Sequence, residues 1–222
     1  MAKKNPVSRT YIINRLIADN NLNSYLEICV SNPYTTYLSI KCGRKVSVDT
    51  CIECDYLPRE SIETFKPFIT HQMTSDEFFA QNTETFDIVF MDGDHSYEQS
   101  LTDLNNALKI IPIGGFVVLH DAMPIDYDST QYSNFEKKLF YNGEVWKTTV
   151  SAIRNDDPNL LIGTFPYDFG VTVIKKLGAH VREIPFTELR YVDDYSVAAL
   201  NPIFNIDDFR NIRVSYFTGL FN

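Results

Sequence analysis

The stretch FDIVFMDGDHSYE, residues 86–98, sets a nearly continuous apolar run against two carboxylates and an imidazole, Asp92, Asp94 and His95, within four residues. An apolar run of this length bounded by glycine predicts a strand buried on both faces. In open parallel sheets such strands deliver polar residues to a ligand crevice at their carboxyl ends. Residues 86–92 are therefore expected to be a central strand, and the residues after it a site.

Working outward, SYEQSLTDLNNALKII (96–111) places Leu101, Leu104, Leu108 and Ile111 on one helix face, and GGFVVLHD (114–121) is a further strand ending in His120 and Asp121. Upstream, VSRTYIINRLIADN (7–20) has helical spacing with Ser8 as cap. SYLEICV (24–30), KVSVD (45–49) and PFITHQM (67–73) read as strands, NPYTTYLSIK (32–41) as a helix entered through Pro33, and TSDEFFAQN as a helix opened by Thr74 or Ser75. Regular strand–helix alternation implies a parallel sheet covered on both sides. The pattern then changes. Residues 122–135 form a polar loop, 135–154 carry a helix containing Trp146 as a core residue, and Pro166-Tyr167-Asp168 splits the apolar runs of 160–178 into an antiparallel hairpin. The expected fold is α/β: a Rossmann-like, doubly wound, seven-stranded sheet, mostly parallel, with an antiparallel closing hairpin. It is read as one domain over 1–222, with an N-terminal helix (1–23), a core (24–190) and a C-terminal segment (191–222) whose end, 204–222, fits either a helix or a docked irregular segment.

A formal charge of −9 argues against a sequence-independent grip on nucleic acid, which needs Lys and Arg to displace counterions. No apolar segment approaches the roughly 18 residues of a membrane span, and the chain reads as cytoplasmic. Cys51-Ile-Glu-Cys54 has the spacing of a redox pair or half a zinc site but lacks further ligands, and Cys29 reads as a small core residue.

In a doubly wound sheet Ser31, Asp49, residues 73–76, residues 92–95, His120 and Asp121 all line one crevice. No G-x-G-x-x-G follows the first strand, which disfavours NAD and FAD. Asp49 suits either ribose hydroxyls or loop solvation. His95 and His120 are base candidates, while Asp92, Asp94 and Asp121 suit a divalent cation, although Asp94 equally suits a helix cap. The loop at 122–135 overhangs the crevice and could supply an acceptor pocket.

In their order, YLEICVSNP, KVSVD, MTSDEFFA, FDIVFMDGDHSYEQSLTDLNNAL, IIPIGGFVVLHDAMP and NGEVWK resemble class I S-adenosylmethionine-dependent methyltransferases, and among them a bacterial small-molecule group. The resemblance spans roughly residues 24–175. It implies that Glu27 and the turn of Cys29, Ser31 and Asn32 lie beside the methionyl part of S-adenosylmethionine. It likewise implies Asp49 on the ribose, Ser75 and Asp76 near the adenine, and Asp92 near the sulfonium and the acceptor. Asp92, His95, His120 and Asp121 are then the catalytic candidates, with a divalent metal optional. Cys29 and Ser31-Asn32-Pro33 stand where the group has glycines, a departure that bears on cofactor affinity. Two readings follow. One is methyl transfer to an oxygen or nitrogen of a small molecule, a sugar among the candidates. The other is a catalytically degenerate methyltransferase fold serving as a binding or interaction module.

Overall fold

The computed structural model describes residues 7–50, 64–137 and 139–202. Helix α1 (Arg9–Asn20) starts where the Ser8 hydroxyl accepts the Tyr11 N–H and ends at Asn21 in the left-handed region, φ 54°. Strands β1 (Ser24–Ile28) and β2 (Arg44–Asp49) follow, then β3 (His71–Gln72) and α2 (Ser75–Gln81), which opens on a reciprocal capping box between Thr74 and Glu77. Strand β4 (Ile88–Met91), helix α3 (Tyr97–Ile110, capped by Ser96) and strand β5 (Phe116–Leu119) form the centre. Helices α4 (Tyr132–Glu136) and α5 (Val145–Arg154) lead to the hairpin β6 (Leu160–Phe165) and β7 (Val171–Lys176), and α6 (Tyr191–Asp194) follows.

The sheet runs β3-β2-β1-β4-β5-β7-β6. All pairs from β3 to β5 are parallel, whereas β7 is antiparallel to both β5 and β6. The seven-stranded, doubly wound architecture with its closing hairpin is thus as the sequence predicts. Register sorts the two faces. Leu26 sits opposite Val46 and Val89, Val89 opposite Val117, and Val117 opposite Ile174. That row packs against Leu101, Leu104 and Leu108 of α3 and Val145 and Ala152 of α5. The alternate residues Tyr25, Ile88, Phe90, Phe116 and Val118 meet Ile12, Ile13, Leu16 and Ile17 of α1. Strands buried on both faces explain why their sequences alternate so little.

Three local expectations change. The helix expected at 32–41 is a series of turns with one 3₁₀ turn at Tyr37–Ser39. Asn32 Oδ1 accepts the Tyr34 N–H and the Thr35 hydroxyl donates to Asn32 O, so side chains meet the backbone locally and compete with helix. The third strand, expected over 67–73, shrinks to two residues because Lys66–Phe68 is a 3₁₀ turn and Pro67 has no N–H to give. The helix expected within 135–154 is broken: α4 begins in the supposed loop, and Tyr141–Gly143 separates it from α5. Trp146 is buried with Val150, Leu189 and Leu200, as expected. Cys51, Cys54 and the tail 204–222 lie outside the described residues. Among the described residues no helix is long and apolar enough to cross a membrane.

Leu104 is fully buried between α3 and the sheet. Leu104→Ala is expected to lower unfolding free energy by about 2–5 kcal/mol, while Ile113→Ala, at a 60% exposed position, changes it by less than about 0.5 kcal/mol. Urea denaturation followed by circular dichroism measures both, and equal effects would contradict the packing described.

Candidate functional site

The carboxyl ends of β1, β2 and β4 open onto a cleft of about 340 Å³ whose walls include Cys29, Asp49, Met73, Ser75, Asp76 and Asp103. A smaller pocket adjoins it, walled by Asp92, His95 and His120. Gly93, Asp94 and Asp103 belong to both walls, so the loop after β4 is the partition between them.

The turn after β1 holds its shape without glycine. Cys29 and Ser31 take φ of 64° and 49°, a region costing a side chain about 1–2 kcal/mol. Three hydrogen bonds offset that strain: Cys29 N–H donates to Val48 O at 2.8 Å, and the N–H groups of Val30 and Ser31 donate to Asp49 Oδ2 at 2.8 and 2.9 Å. Asp49 therefore both lines the cleft and fixes its neighbouring turn. Cys29 is half-buried at the cleft wall and not in the core.

Asp92, Asp121 and both histidines converge. His120 Nδ1 lies 3.2 Å from Asp92 Oδ1 and 3.0 Å from Asp121 Oδ2, and Arg9 Nη1 donates to Asp92 Oδ2 at 3.1 Å. His95 Nε2 faces Asp92 Oδ1 at 3.7 Å and Asp121 Oδ2 at 3.6 Å, beyond hydrogen-bond length, which leaves a gap between the three atoms. Burial alone would raise the Asp92 pKa. The His120 charge and hydrogen bond, the nearby His95 ring and Arg9 overcome that and hold it well below the usual carboxylate range. Burial opposes a charge on His120, yet Asp92, Asp121 and Asp168 push it up to about 11. His95 is likewise raised, against burial, by Asp92 and Asp121.

Asp92, His95 and Asp121 each offer one atom within 4.8 Å of the others, an N,O,O set able to hold a metal ion. Asp94 is not part of it. Its carboxylate accepts the Ser96 N–H at 2.6 Å and faces the cleft.

Other expected residues lie apart from both pockets. Glu27 is fully buried on the α1 face of the sheet, where the Tyr25 hydroxyl donates to it, and burial pushes its pKa up to about 8. Asn32 is engaged in its own turn, and Ser31 contributes its N–H to Asp49.

Several residues at the site escape sequence reasoning. Asn142, fully buried, donates to Asp121 Oδ1 at 2.6 Å and steadies that carboxylate, whose own φ is 56°. Gly143 follows at φ 68°, where a Cβ would stand 2.4 Å from that of His95, so only glycine lets the chain pass. The Tyr141 ring stacks on His95 with centroids 5.5 Å apart, Phe169 meets the edge of His120, and Phe140 packs on Phe169. The Asn-Gly pair was a readable turn signal, and Asp103 is an acid on the apolar face of α3. Nothing in the sequence flagged Arg9 or Asp168.

Residues 27–122 match the family described as "Methyltransferase domain". No curated protein matches the chain. Among solved structures, the fold resembles the S-adenosylhomocysteine-bound methyltransferase PaMTH1 of Podospora anserina at 15% identity and TM-score 0.52, covering 77% of this chain and 78% of that one. It also resembles an O-methyltransferase of Bacillus cereus in complex with S-adenosylhomocysteine at 15% identity and TM-score 0.51, covering 79% and 84%.

The buried Glu27 makes stability depend on pH. Its folded pKa of about 8 exceeds the ordinary 4.5, so between those values the folded chain holds a proton that the unfolded chain has released. Stability should therefore fall as pH rises through that window, by at most about 1.4 kcal/mol per unit from this group. Glu27→Gln removes the dependence, and parallel stability–pH curves for the two proteins would refute it.

Proposed function

We propose that this chain, which carries a class I S-adenosylmethionine-dependent methyltransferase fold, moves the methyl group of S-adenosylmethionine to a hydroxyl oxygen of a small molecule with a flat face, an aromatic ring or a pyranose sugar. One observation carries the reading. The cleft and the Asp92–His95–His120 pocket share Gly93, Asp94 and Asp103 as walls, so a sulfonium held in the first would stand next to the imidazole of His95 in the second. The fit is supported by size, since about 340 Å³ lies in the usual range of small-molecule sites. Cys29 leaves that cleft open, which removes the main motive for reading the fold as an interaction module.

Methyl transfer from a sulfonium is an in-line displacement, and alignment of donor and acceptor supplies much of its rate. Ser75 and Asp76 would border the adenosyl group, with Asp49 beneath the ribose. The acceptor would lie against the rings of Tyr141 and Phe169, which cover the two histidines. A hydroxyl there must lose its proton as the new bond forms. His95 Nε2, aimed into the gap between Asp92 and Asp121, is the base. Asp92 and Asp121 steady the imidazolium that results, and Asn142 and Arg9 hold those carboxylates. The B. cereus protein named as an O-methyltransferase supports oxygen as the acceptor atom.

The convergence of Asp92, His95 and Asp121 also supports a second reading, in which these residues hold a divalent cation. When bound, such an ion supplies Lewis acidity that lowers the pKa of the acceptor hydroxyl.

Calorimetric titration with S-adenosylmethionine should show one site with a micromolar Kd, about −8 kcal/mol. Asp49→Ala should weaken it about tenfold or more by loosening the turn and removing a charged acceptor. In a screen of hydroxylated compounds with radiolabelled methyl donor, His95→Gln should bind the donor normally yet lose about 10²–10⁴-fold in transfer. Loss of transfer on chelation, restored by magnesium or manganese, would select the cation reading. No binding at millimolar donor would favour the interaction module.

A further inference from the structure

Arg9 and Asp168 both lie outside residues 27–122, the span that matches the methyltransferase family, yet they meet beside the tip of β4. The Arg9 N–H donates to Asp168 Oδ2 at 2.8 Å, and Arg9 Nε lies 3.7 Å from the same oxygen. Nη1 of that guanidinium donates to Asp92 Oδ2 at 3.1 Å and lies 2.7 Å from both ring nitrogens of His120. Asp168 Oδ1 completes the ring of contacts, 3.6 Å from His120 Nε2. The hairpin turn that presents Asp168 is strained. Asp168 and Phe169 take φ of 50° and 61° ahead of Gly170 at 87°. The N–H groups of Ala122 and Met123 pin this turn to the chain just beyond Asp121 by donating to Gly170 O and Phe169 O. Side chains keep such backbone only where their surroundings over-determine it, and these positions cluster at functional sites.

A carboxylate can turn about its Cβ–Cγ bond, and the contacts of Asp92 select one orientation. With Asp92 Oδ2 taken by Arg9, Oδ1 is left between His120 Nδ1 at 3.2 Å and His95 Nε2 at 3.7 Å. We infer that Arg9 and Asp168 are positioning residues of the transfer. Asp168 fixes the guanidinium, the guanidinium fixes the Asp92 carboxylate, and Asp92 with His120 sets the place of His95 Nε2. This rests on the proposed methyl transfer. Neither residue is among the walls of the donor cleft, so both act on the rate of transfer and not on donor binding. Their reach is through geometry, since a base displaced by about an ångström can lose about 10²-fold in rate.

The test compares the full chain with Arg9→Gln, with Asp168→Asn, whose amide suits left-handed backbone, and with the double variant. It measures kcat and acceptor KM on a compound from the hydroxyl screen, donor Kd by calorimetry, and the imidazole ¹⁵N–¹H spectrum of protein labelled at its four histidines. Each single variant should lower kcat about 10- to 10²-fold with donor Kd unchanged within about threefold. The double variant should lose no more than about twofold beyond the larger single loss, because the two side chains act as one unit. The signals of His95 and His120 should move while those of His71 and His180 stay. Arg9→Lys keeps the charge but cannot span Asp92 and Asp168 at once, and should recover only part of the rate. Arg15→Gln breaks the Arg15–Asp19 pair of the same helix and should leave kcat unchanged, which separates positioning from damage to α1. An unchanged kcat in a folded Arg9→Gln or Asp168→Asn protein would overturn the inference. So would losses that multiply in the double variant, full rescue by lysine, or a fall in donor affinity matching the fall in rate. If the unaltered protein methylates no hydroxyl compound, the proposed function fails. The histidine signals then decide the positioning by themselves, and their constancy in Arg9→Gln would overturn it.

Discussion

A half-buried carboxylate at the tip of the central strand is stabilised when positive charge meets it, and Asp92 is met from several sides. Arg9 reaches it from α1, His95 from the start of α3 and His120 from the end of β5. Asp168, in the turn of the β6–β7 hairpin, holds Arg9 by its N–H at 2.8 Å and lies 3.6 Å from His120. One half-buried charge thus ties together the first helix, two parallel strands and the antiparallel hairpin. Removing any of these partners would leave an uncompensated charge, a costlier change than the loss of a single exposed ion pair.

A second carboxylate does comparable work at the neighbouring strand tip. Asp49 substitutes for the conformational freedom of glycine by accepting two consecutive N–H groups from a turn in which Cys29 and Ser31 occupy left-handed backbone. The same side chain faces the cleft. Backbone geometry and ligand surface are here set by one residue, and an open cleft does not require the glycines expected at this turn.

The sheet was legible because its strands are buried on both faces. FDIVF and GGFVVL are apolar without alternation, and the amphipathic helix between them has a clear period, so order and direction follow from pattern and connection rules. Ends of strands were legible for the same reason, which is how Asp49, Asp92, His95, His120 and Asp121 were expected at one edge of the sheet. What was not legible depends on contacts distant along the chain. Arg9 lies 83 residues from Asp92 and 159 from Asp168. Asn142 returns to Asp121 after an excursion of 21 residues that no local period governs. Alternation along β1 turns Glu27 with Tyr25 towards α1, on the face opposite Leu26, a placement that the strand-end pattern alone does not reveal. The stretch at 32–41 misled because Asn32 and Thr35 satisfy the backbone themselves, a competition that propensity alone does not reveal.

The bond from the Arg9 N–H to Asp168 joins the opening turn of the first helix to the last hairpin of the sheet. During synthesis α1 emerges early, but the turn that anchors it comes about 160 residues later, a loop closure that is entropically among the most expensive in the fold. Until the hairpin docks, Asp92 lacks a fixed guanidinium partner and the acidic crevice is incomplete. The contact that fixes the start of the first helix is therefore the last of the candidate site's contacts to become available along the chain.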